Sequence, residues 1–325
     1  MIITRTPFRV SLCGGGSDLP QFYQKHGGCV ISTTINKYMY ITSHPSFDKN
    51  TTVLKYSKTE TVHDINDIEH SIFRECLKKE GLEGIEITSI ADVPQGTGLG
   101  SSSSFTVGLI KNLKCHKREY ISKNDVAKDA CKMEIDILKN PIGKQDQYAA
   151  AFGGLNFYQF NKDGSVDVEP ILLGHQAYKQ LEKNLIMLYV GGEHSASAIL
   201  KEQGKNVTSA SDKEEGQKRI VELTYELKYE LEHDNIDAVG RILDENWKIK
   251  RTLANGISNP KFDEWYDRAI NNGATGGKIL GAGGSGFFLF YVPEENQEKF
   301  RNAMSDLKEM EFKFDHLGTT VIFVS

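Results

Sequence analysis

Apolar and polar positions along this chain keep two rhythms, and the changes between them predict the elements. Period-two alternation, as in I-E-I-T-S-I over 85–90, reads as a strand with one buried face. Strands are also expected over 2–12, 51–56, 155–160, 166–171, 185–190, 287–292, 312–316 and 319–324, and a strand pair over 30–43 turning around Asn36-Lys37. A 3.6-residue spacing predicts helices over 65–79 (Ile68, Ile72, Phe73, Leu77), after the serines at 101–104 (Phe105, Leu109, Ile110, Leu113) and over 123–138 (Val126, Ala130, Met133, Ile137). Two more are expected in 219–253, divided near Asn235, and another over 294–307. Short helices follow Ser17-Asp18, with Pro20 in the first turn and Gly27-Gly28 at the end, and the Asn140-Pro141-Ile142-Gly143 break. The polar stretch 202–216 reads as a loop. A chain of 325 residues suggests two domains, with the boundary placed at 178/179.

Composition narrows the class. With 39% hydrophobic and 26% charged residues there is apolar material for sizeable cores, and a net charge of −5 argues against an electrostatic nucleic-acid binder. Even a run as long as 287–292 is far short of the ~20 residues a membrane helix needs. The first residues carry no apolar signal segment, and five scattered cysteines form no C-x-x-C. A cytoplasmic protein with reduced thiols, no zinc site and no membrane partner is the expectation.

The candidate chemistry centres on D-V-P-Q-G-T-G-L-G-S-S-S-S-F, from Asp92 to Phe105. Gly96, Gly98 and Gly100 precede Ser101 to Ser104, between a predicted strand and a predicted helix. The first turn of a helix has unpartnered N–H groups at the positive end of its dipole, which makes an anion site, and the serines add hydroxyls. A nucleotide phosphate is the natural occupant, although a plain glycine-serine connection has the same composition. No lysine follows the last glycine, so this is not a Walker A loop. Three carboxylates read two ways. Asp18 fits a helix N-cap or a ligand contact, Asp146 a favourable first-turn charge or a catalytic base, and Glu134 a solvated flank or a metal ligand. Gly281, Gly283 and Gly286 satisfy G-x-G-x-x-G, but a strand follows where a dinucleotide fold needs a helix.

Pro94, Gly98, Leu99, Gly100, Ser101 and Ser102 match the P-x-x-x-G-L-G-S-S motif, and the chain is identified as a member of the GHMP kinases. Pro7-Phe8-Arg9 followed by G-G-G-S-D-L-P resembles the opening motif of their heptose-phosphate and fucokinase-like branch, without the Glu-His pair of galactokinases. K-I-L-G-A-G-G-S-G from Lys278 resembles the third motif. The resemblance implies an α+β fold of two domains, an N-terminal ribosomal-protein-S5-like one and a C-terminal ferredoxin-like one. It implies an ATP- and Mg²⁺-dependent kinase with Asp146, twelve residues after Glu134, as base and Arg9 as the neutralising cation. It places ATP on Pro94, Gly96, Gly98, Leu99, Gly100, Ser101, Ser102 and Ser103, and Mg²⁺ on Ser102 and Glu134. Substrate contacts fall to Asp18, Gly15, Gly16, Ser17, Lys144, His194, Gly281, Ala282, Gly283 and Gly284. Lys144, Lys278 and His194 are candidates for a phosphate already on the substrate; His194 stands where that branch tends to have arginine. The implied acceptor is the anomeric hydroxyl of a heptose 7-phosphate, used for nucleotide-heptose synthesis in bacterial surface polysaccharide. Kinases of free fucose or galactose, an NAD-dependent oxidoreductase and a non-catalytic sugar-nucleotide sensor are the alternatives. The resemblance leaves a homodimer open.

Overall fold

Two sheets carry the molecule, and the computed structural model describes residues 1–192 and 196–325. The first part of the chain runs β1 (Ile2–Cys13), α1 (Pro20–His26), β2 (Gly28–Pro45), β3 (Thr52–Lys55), β4 (Thr59–Val62), α2 (Ser71–Glu80), β5 (Ile85–Ala91), α3 (Ser101–His116), α4 (Lys123–Cys131), α5 (Gln145–Phe152), β6 (Asn156–Phe160) and β7 (Val166–Pro170). The second part runs α6 (His175–Asn184), β8 (Leu185–Gly191), α7 (Ala196–Ser209), α8 (Ser211–Glu232), α9 (Ala238–Lys250), α10 (Pro260–Asn271), β9 (Gly276–Ile279), β10 (Gly286–Tyr291), α11 (Gln297–Ala303), β11 (Lys308–Glu309), β12 (Phe314–Asp315) and β13 (Thr320–Val324).

The first sheet has the order β13-β1-β2-β5-β3-β4, with β6 and β12 also on β2 and β7 on β6; the second has the order β11-β8-β10-β9. The expected division at 178/179 falls inside α6, and β12 and β13 return to the first sheet. The sheets therefore divide the molecule more naturally than one cut in the chain does.

The predicted hairpin at Asn36-Lys37 is instead a bulge in one long strand. Against β1 the register steps from Pro7 opposite Tyr38 to Phe8 opposite Ile35. A two-residue hairpin turn wants glycine for its positive φ, and Asn-Lys lacks it. Asn36 is held in the bulge by residue 313: its N–H donates to the Lys313 carbonyl and its Oδ1 accepts from the Lys313 N–H, each at 2.8 Å.

The loop expected over 202–216 is largely helix, in α7 and the start of α8. Its lysines, glutamates and glutamines are good helix formers. Gln203 turns inward to meet Gln217, the residue just after the stretch: Gln203 Nε2 donates to Gln217 Oε1 at 3.2 Å, and Gln217 Nε2 donates to the Gly15 carbonyl at 3.4 Å. The helix expected over 65–79 begins only at Ser71, because the Asp64 side chain accepts from the Asn66 N–H and caps a separate 3₁₀ turn first. The helix expected over 123–138 changes to a π-helical turn at Lys132–Ile137.

α3 is buried on nearly every side, between β1 and β2 and the helices α2, α4 and α5. Thr4 Oγ1 donates to the Gly108 carbonyl at 3.0 Å, and Asn112 Nδ2 donates to the Ile41 carbonyl at 2.9 Å. These bonds fix the helix against the sheet and hence fix where its N-terminus points.

Candidate active site

That N-terminus opens into a cavity of about 270 Å³. Gly100, left-handed with φ 75°, is the N-cap, and Ser101, Ser102 and Ser103 form the first turn. Their N–H groups lie before the first i→i−4 bond of the helix, which runs from the Ser104 N–H to the Gly100 carbonyl at 2.9 Å, so they are free for an anion. The glycine turn after β9 closes on this loop from the second sheet. A Cβ on Gly98 would stand 2.5 Å from the Leu280 carbonyl, and one on Gly281 would stand 2.6 Å from the Gly98 Cα. Two backbones touch there with no room for a side chain between them.

Arg9 and Asp146 meet at the mouth of the loop. Arg9 Nε donates to Asp146 Oδ1 at 2.7 Å, and a second guanidinium nitrogen donates to Oδ2 at 2.9 Å. The remaining nitrogen donates to the Gly98 carbonyl at 2.5 Å. This two-pronged pair is the strong form of arginine–carboxylate contact and sets the carboxylate's orientation. The Asp146 side chain keeps 24% of its surface open against 4% for Arg9, so it can still take a proton from a ligand.

Asp18 does not cap α1, whose N-cap is Leu19 with no side-chain bond. Its Oδ1 accepts from the Gly16 N–H at 3.1 Å, and its Oδ2 accepts from the Gln145 N–H at 3.1 Å. A Cβ on Gly143 would lie 1.9 Å from Oδ2, so glycine is what lets the 143–145 segment approach. Burial pushes the Asp18 carboxyl above the ordinary carboxylate range, and the neighbouring Asp146 pushes the same way.

Glu134 is not on a solvated flank. It sits in the π-helical turn, fully buried, and accepts from Ser102 Oγ at 3.2 Å and from Gln147 Nε2 at 2.6 Å. Burial raises its pKa against the pull of these bonds. The carboxylate lies one hydroxyl behind the cavity wall, with Ser102 in front of it.

Of the expected site residues, Arg9, Gly15, Gly16, Asp18, Gly96, Gly98, Gly100, Ser101, Ser102, Ser103, Asp146, Gly281, Ala282 and Gly283 line this one cavity. Several others do not. Leu99 is core, and its carbonyl accepts from the Arg9 N–H at 3.1 Å. The Pro94 carbonyl accepts from Thr97 Oγ1 at 3.0 Å, which shapes the loop from outside. Ser17 Oγ lies 2.8 Å from the carbonyls of Gly14 and Cys29 and accepts from the Cys29 N–H at 3.0 Å, so its hydroxyl is committed to the turn. Lys144 Nζ donates to the Gly164 carbonyl at 2.5 Å and lies over the Tyr23 ring, away from the cavity. The Gly284 N–H donates to the Ile257 carbonyl at 3.1 Å, and it is Ser285, next in the chain, that reaches the wall. His194 lies outside the described residues.

Lys278 lines the cavity, as do residues the sequence reading passed over, among them Ser11, Gln145, Gln203 and Lys250. Lys250 carried a usable signal. It continues the apolar helical stripe Val239-Leu243-Trp247, where a lysine has no reason to be unless something needs it. Gln203 carried none, because its segment looks like loop.

Residues 68–154 match the family model of the GHMP kinases N terminal domain, and 227–309 match GHMP kinases C terminal. A D-glycero-alpha-D-manno-heptose 7-phosphate kinase of Campylobacter jejuni is 31% identical over 90% of this chain and 89% of its own. The chain belongs to the GHMP kinases. With that relative it is a sugar kinase of the family, and its two-sheet fold is similar to a solved one: the crystal structure of a D-glycero-D-manno-heptose 1-phosphate kinase from Bacteroides thetaiotaomicron superposes with a TM-score of 0.82 over all of both chains, at 24% identity. A galactokinase of Pyrococcus furiosus is 25% identical over 96% of this GHMP kinase and 94% of its own length. No helix among the described residues is long and apolar enough to cross a membrane.

Proposed function

We propose that this GHMP kinase transfers the γ-phosphoryl group of ATP to the anomeric hydroxyl of D-glycero-D-manno-heptose 7-phosphate. The observation that carries the reading is the convergence, in one cavity, of the α3 N-terminus, of Asp146 gripped by Arg9, and of Asp18. The Campylobacter relative, matched over nine-tenths of the chain, supplies the acceptor class.

Phosphoryl transfer asks for positioning and for neutralisation of spreading charge. The N–H groups of Ser101 to Ser103 would hold phosphate oxygens. The acceptor oxygen bonds to the γ-phosphorus, the bond from that phosphorus to the β–γ bridging oxygen breaks, and ADP leaves. The acceptor's proton passes to the Asp146 carboxylate. Arg9 holds that carboxylate in place and offsets negative charge beside it. Asp18, an acceptor with both oxygens fixed by backbone donors, would orient sugar hydroxyls.

A divalent cation fits the residues present. Ser102 Oγ and the buried Glu134 carboxylate are hard oxygen ligands 3.2 Å apart, and a carboxylate whose pKa is raised by burial lacks positive charge nearby. Mg²⁺ bound there would neutralise phosphate charge. Among the described residues no group of three or more His, Cys, Asp or Glu forms a metal cluster, which suits an ion bound chiefly through nucleotide phosphates and water.

The test is kcat/KM for the heptose 7-phosphate beside free heptose, L-fucose and galactose, with ³¹P NMR to place the new phosphate. The reading expects the phosphorylated heptose to be preferred and to gain a second, anomeric phosphate. A free sugar that equals or beats it overturns the acceptor and leaves a free-sugar kinase, the alternative that the galactokinase match favours.

A further inference from the structure

Two lysines in the cavity wall lack the anionic partner that buried lysines normally have. Lys250, at the end of α9, is 4% exposed, and Lys278, on β9, is 1% exposed. Their ammonium groups bond only to backbone carbonyls. Lys250 Nζ donates to Gly281 at 2.5 Å and to Ile279 at 3.3 Å, and Lys278 Nζ donates to Leu12 at 3.3 Å. An ammonium has three N–H donors, so one remains on Lys250 and two on Lys278. Ser11 Oγ, also in the wall and 5% exposed, has no partner at all. Charges buried this deeply are ordinarily paired, because removing an ion from water costs several kcal/mol. Here the neighbours make matters worse: Lys278 opposes charging of Lys250, and Arg9 opposes both.

We infer that Lys250 and Lys278, with Ser11 beside them, form a clamp for a phosphate monoester dianion, the phosphate that the acceptor sugar already carries. The inference rests on the sugar-phosphate reading above. A tetrahedral dianion offers three peripheral oxygens to the three free ammonium N–H groups, and its charge matches the surplus. Position favours the acceptor over the nucleotide. Lys278 hangs from the carbonyl of Leu12, where β1 runs into the Gly14–Gly16 turn beside Asp18, whereas ATP already has the α3 N-terminus. Burial, together with Arg9, brings Lys278 down to about 8 against a pull upward from Cys13. Burial, then Lys278 and Arg9, lower Lys250 well below the ordinary lysine range, with only Asp18 pulling it up. An arriving dianion offsets that repulsion and favours the charged form of both lysines.

The test uses the full enzyme with Lys250→Met and Lys278→Met, which keep length and remove charge. Inorganic phosphate is the first probe. It should bind wild type by calorimetry, compete with the acceptor and not with ATP, and lose affinity at least ~30-fold in each variant. With heptose 7-phosphate and free heptose as acceptors, each variant should lose at least ~30-fold of the preference for the phosphorylated sugar, while KM for ATP stays within threefold. A selective rise in KM for ATP would reassign the lysines to the γ-phosphate and overturn the clamp. Equal losses with both sugars would overturn it as well. If the methionine variants do not fold, competition in wild type decides: phosphate that competes with ATP and not with the acceptor rejects the clamp. Failure of the acceptor reading looks different: heptose 7-phosphate is not turned over, yet phosphate still binds wild type and not the variants.

Discussion

Arg9 spends all three of its nitrogens on two partners, the Asp146 carboxylate and the Gly98 carbonyl, and so ties the proposed base to the phosphate loop. Replacing Asp146 by Asn keeps the shape and removes the proton acceptor. Its kcat should fall by roughly 10²–10⁴ with KM for ATP little changed, read from steady-state kinetics. A variant with near-wild-type kcat would return Asp146 to a purely helix-stabilising role. Glu134→Gln makes a separate prediction. It removes the buried charge behind Ser102, so the Mg²⁺ concentration needed for half-maximal rate should rise several-fold while KM for the sugar holds. Superimposable Mg²⁺ titrations of variant and wild type would argue against a cation at that carboxylate. At this scale the sequence was informative where spacing carries meaning. The interval from Glu134 to Asp146 and the G-L-G-S-S run both led to residues that lie together. It was silent where a residue acts through a tertiary partner. Nothing local says that Ser17 serves the turn, that Lys144 points to Gly164, or that Glu134 stands behind a serine instead of in the open.

Elements show the same division for a physical reason. Strands and helices with a clean one-sided apolar pattern, such as β5, α3 and β10, were legible because their burial is one-sided or complete along the run. The bulge in β2, the helix α7 and the first turns of α8 were not, since each is settled by contacts from distant parts of the chain: residue 313 for the bulge, and the Gly15 turn for the inward glutamines. The contact between the two glycine turns belongs to this scale and can be measured. Gly98→Ala puts a Cβ 2.5 Å from the backbone carbonyl of Leu280 at a φ of 77°. Neither backbone can yield easily, so a loss of about 1–3 kcal/mol in stability is expected, along with a sharp fall in activity. Gly81→Ala is the control. Its φ of 62° is equally left-handed, but a Cβ there meets nothing within 4 Å, so only the backbone term is lost. The two melting temperatures compared with the two activities separate strain from loop contact. Equal effects in both would show that the loops do not depend on that contact.

At the scale of the molecule the cavity collects charges from both sheets, and their mutual influence gives the activity a pH signature. Asp18 faces the N–H groups of Gly16 and Gln145, which favour its ionised form, and the Asp146 carboxylate, which opposes it. Burial outweighs the donors and raises the carboxyl, so Asp18 takes up its proton at a higher pH than a free aspartate would. Only the ionised form can accept hydrogen bonds with both oxygens, so protonation should weaken sugar binding. The sign follows: kcat/KM for the acceptor falls as pH drops, with a midpoint above the ordinary aspartate range. ATP's own phosphates titrate on the acid side as well, so the wild-type profile alone does not isolate Asp18. The ratio of wild type to Asp18→Asn does, because the nucleotide contribution is common to both. At neutral pH that ratio should be large, about 10–10² if one or two charge-assisted bonds of ~1.5–3 kcal/mol are weakened. It should shrink toward unity as pH falls and wild-type Asp18 becomes neutral like its amide replacement. A ratio constant across the pH range, with both enzymes folded by circular dichroism, would mean that the Asp18 charge takes no part in holding the sugar.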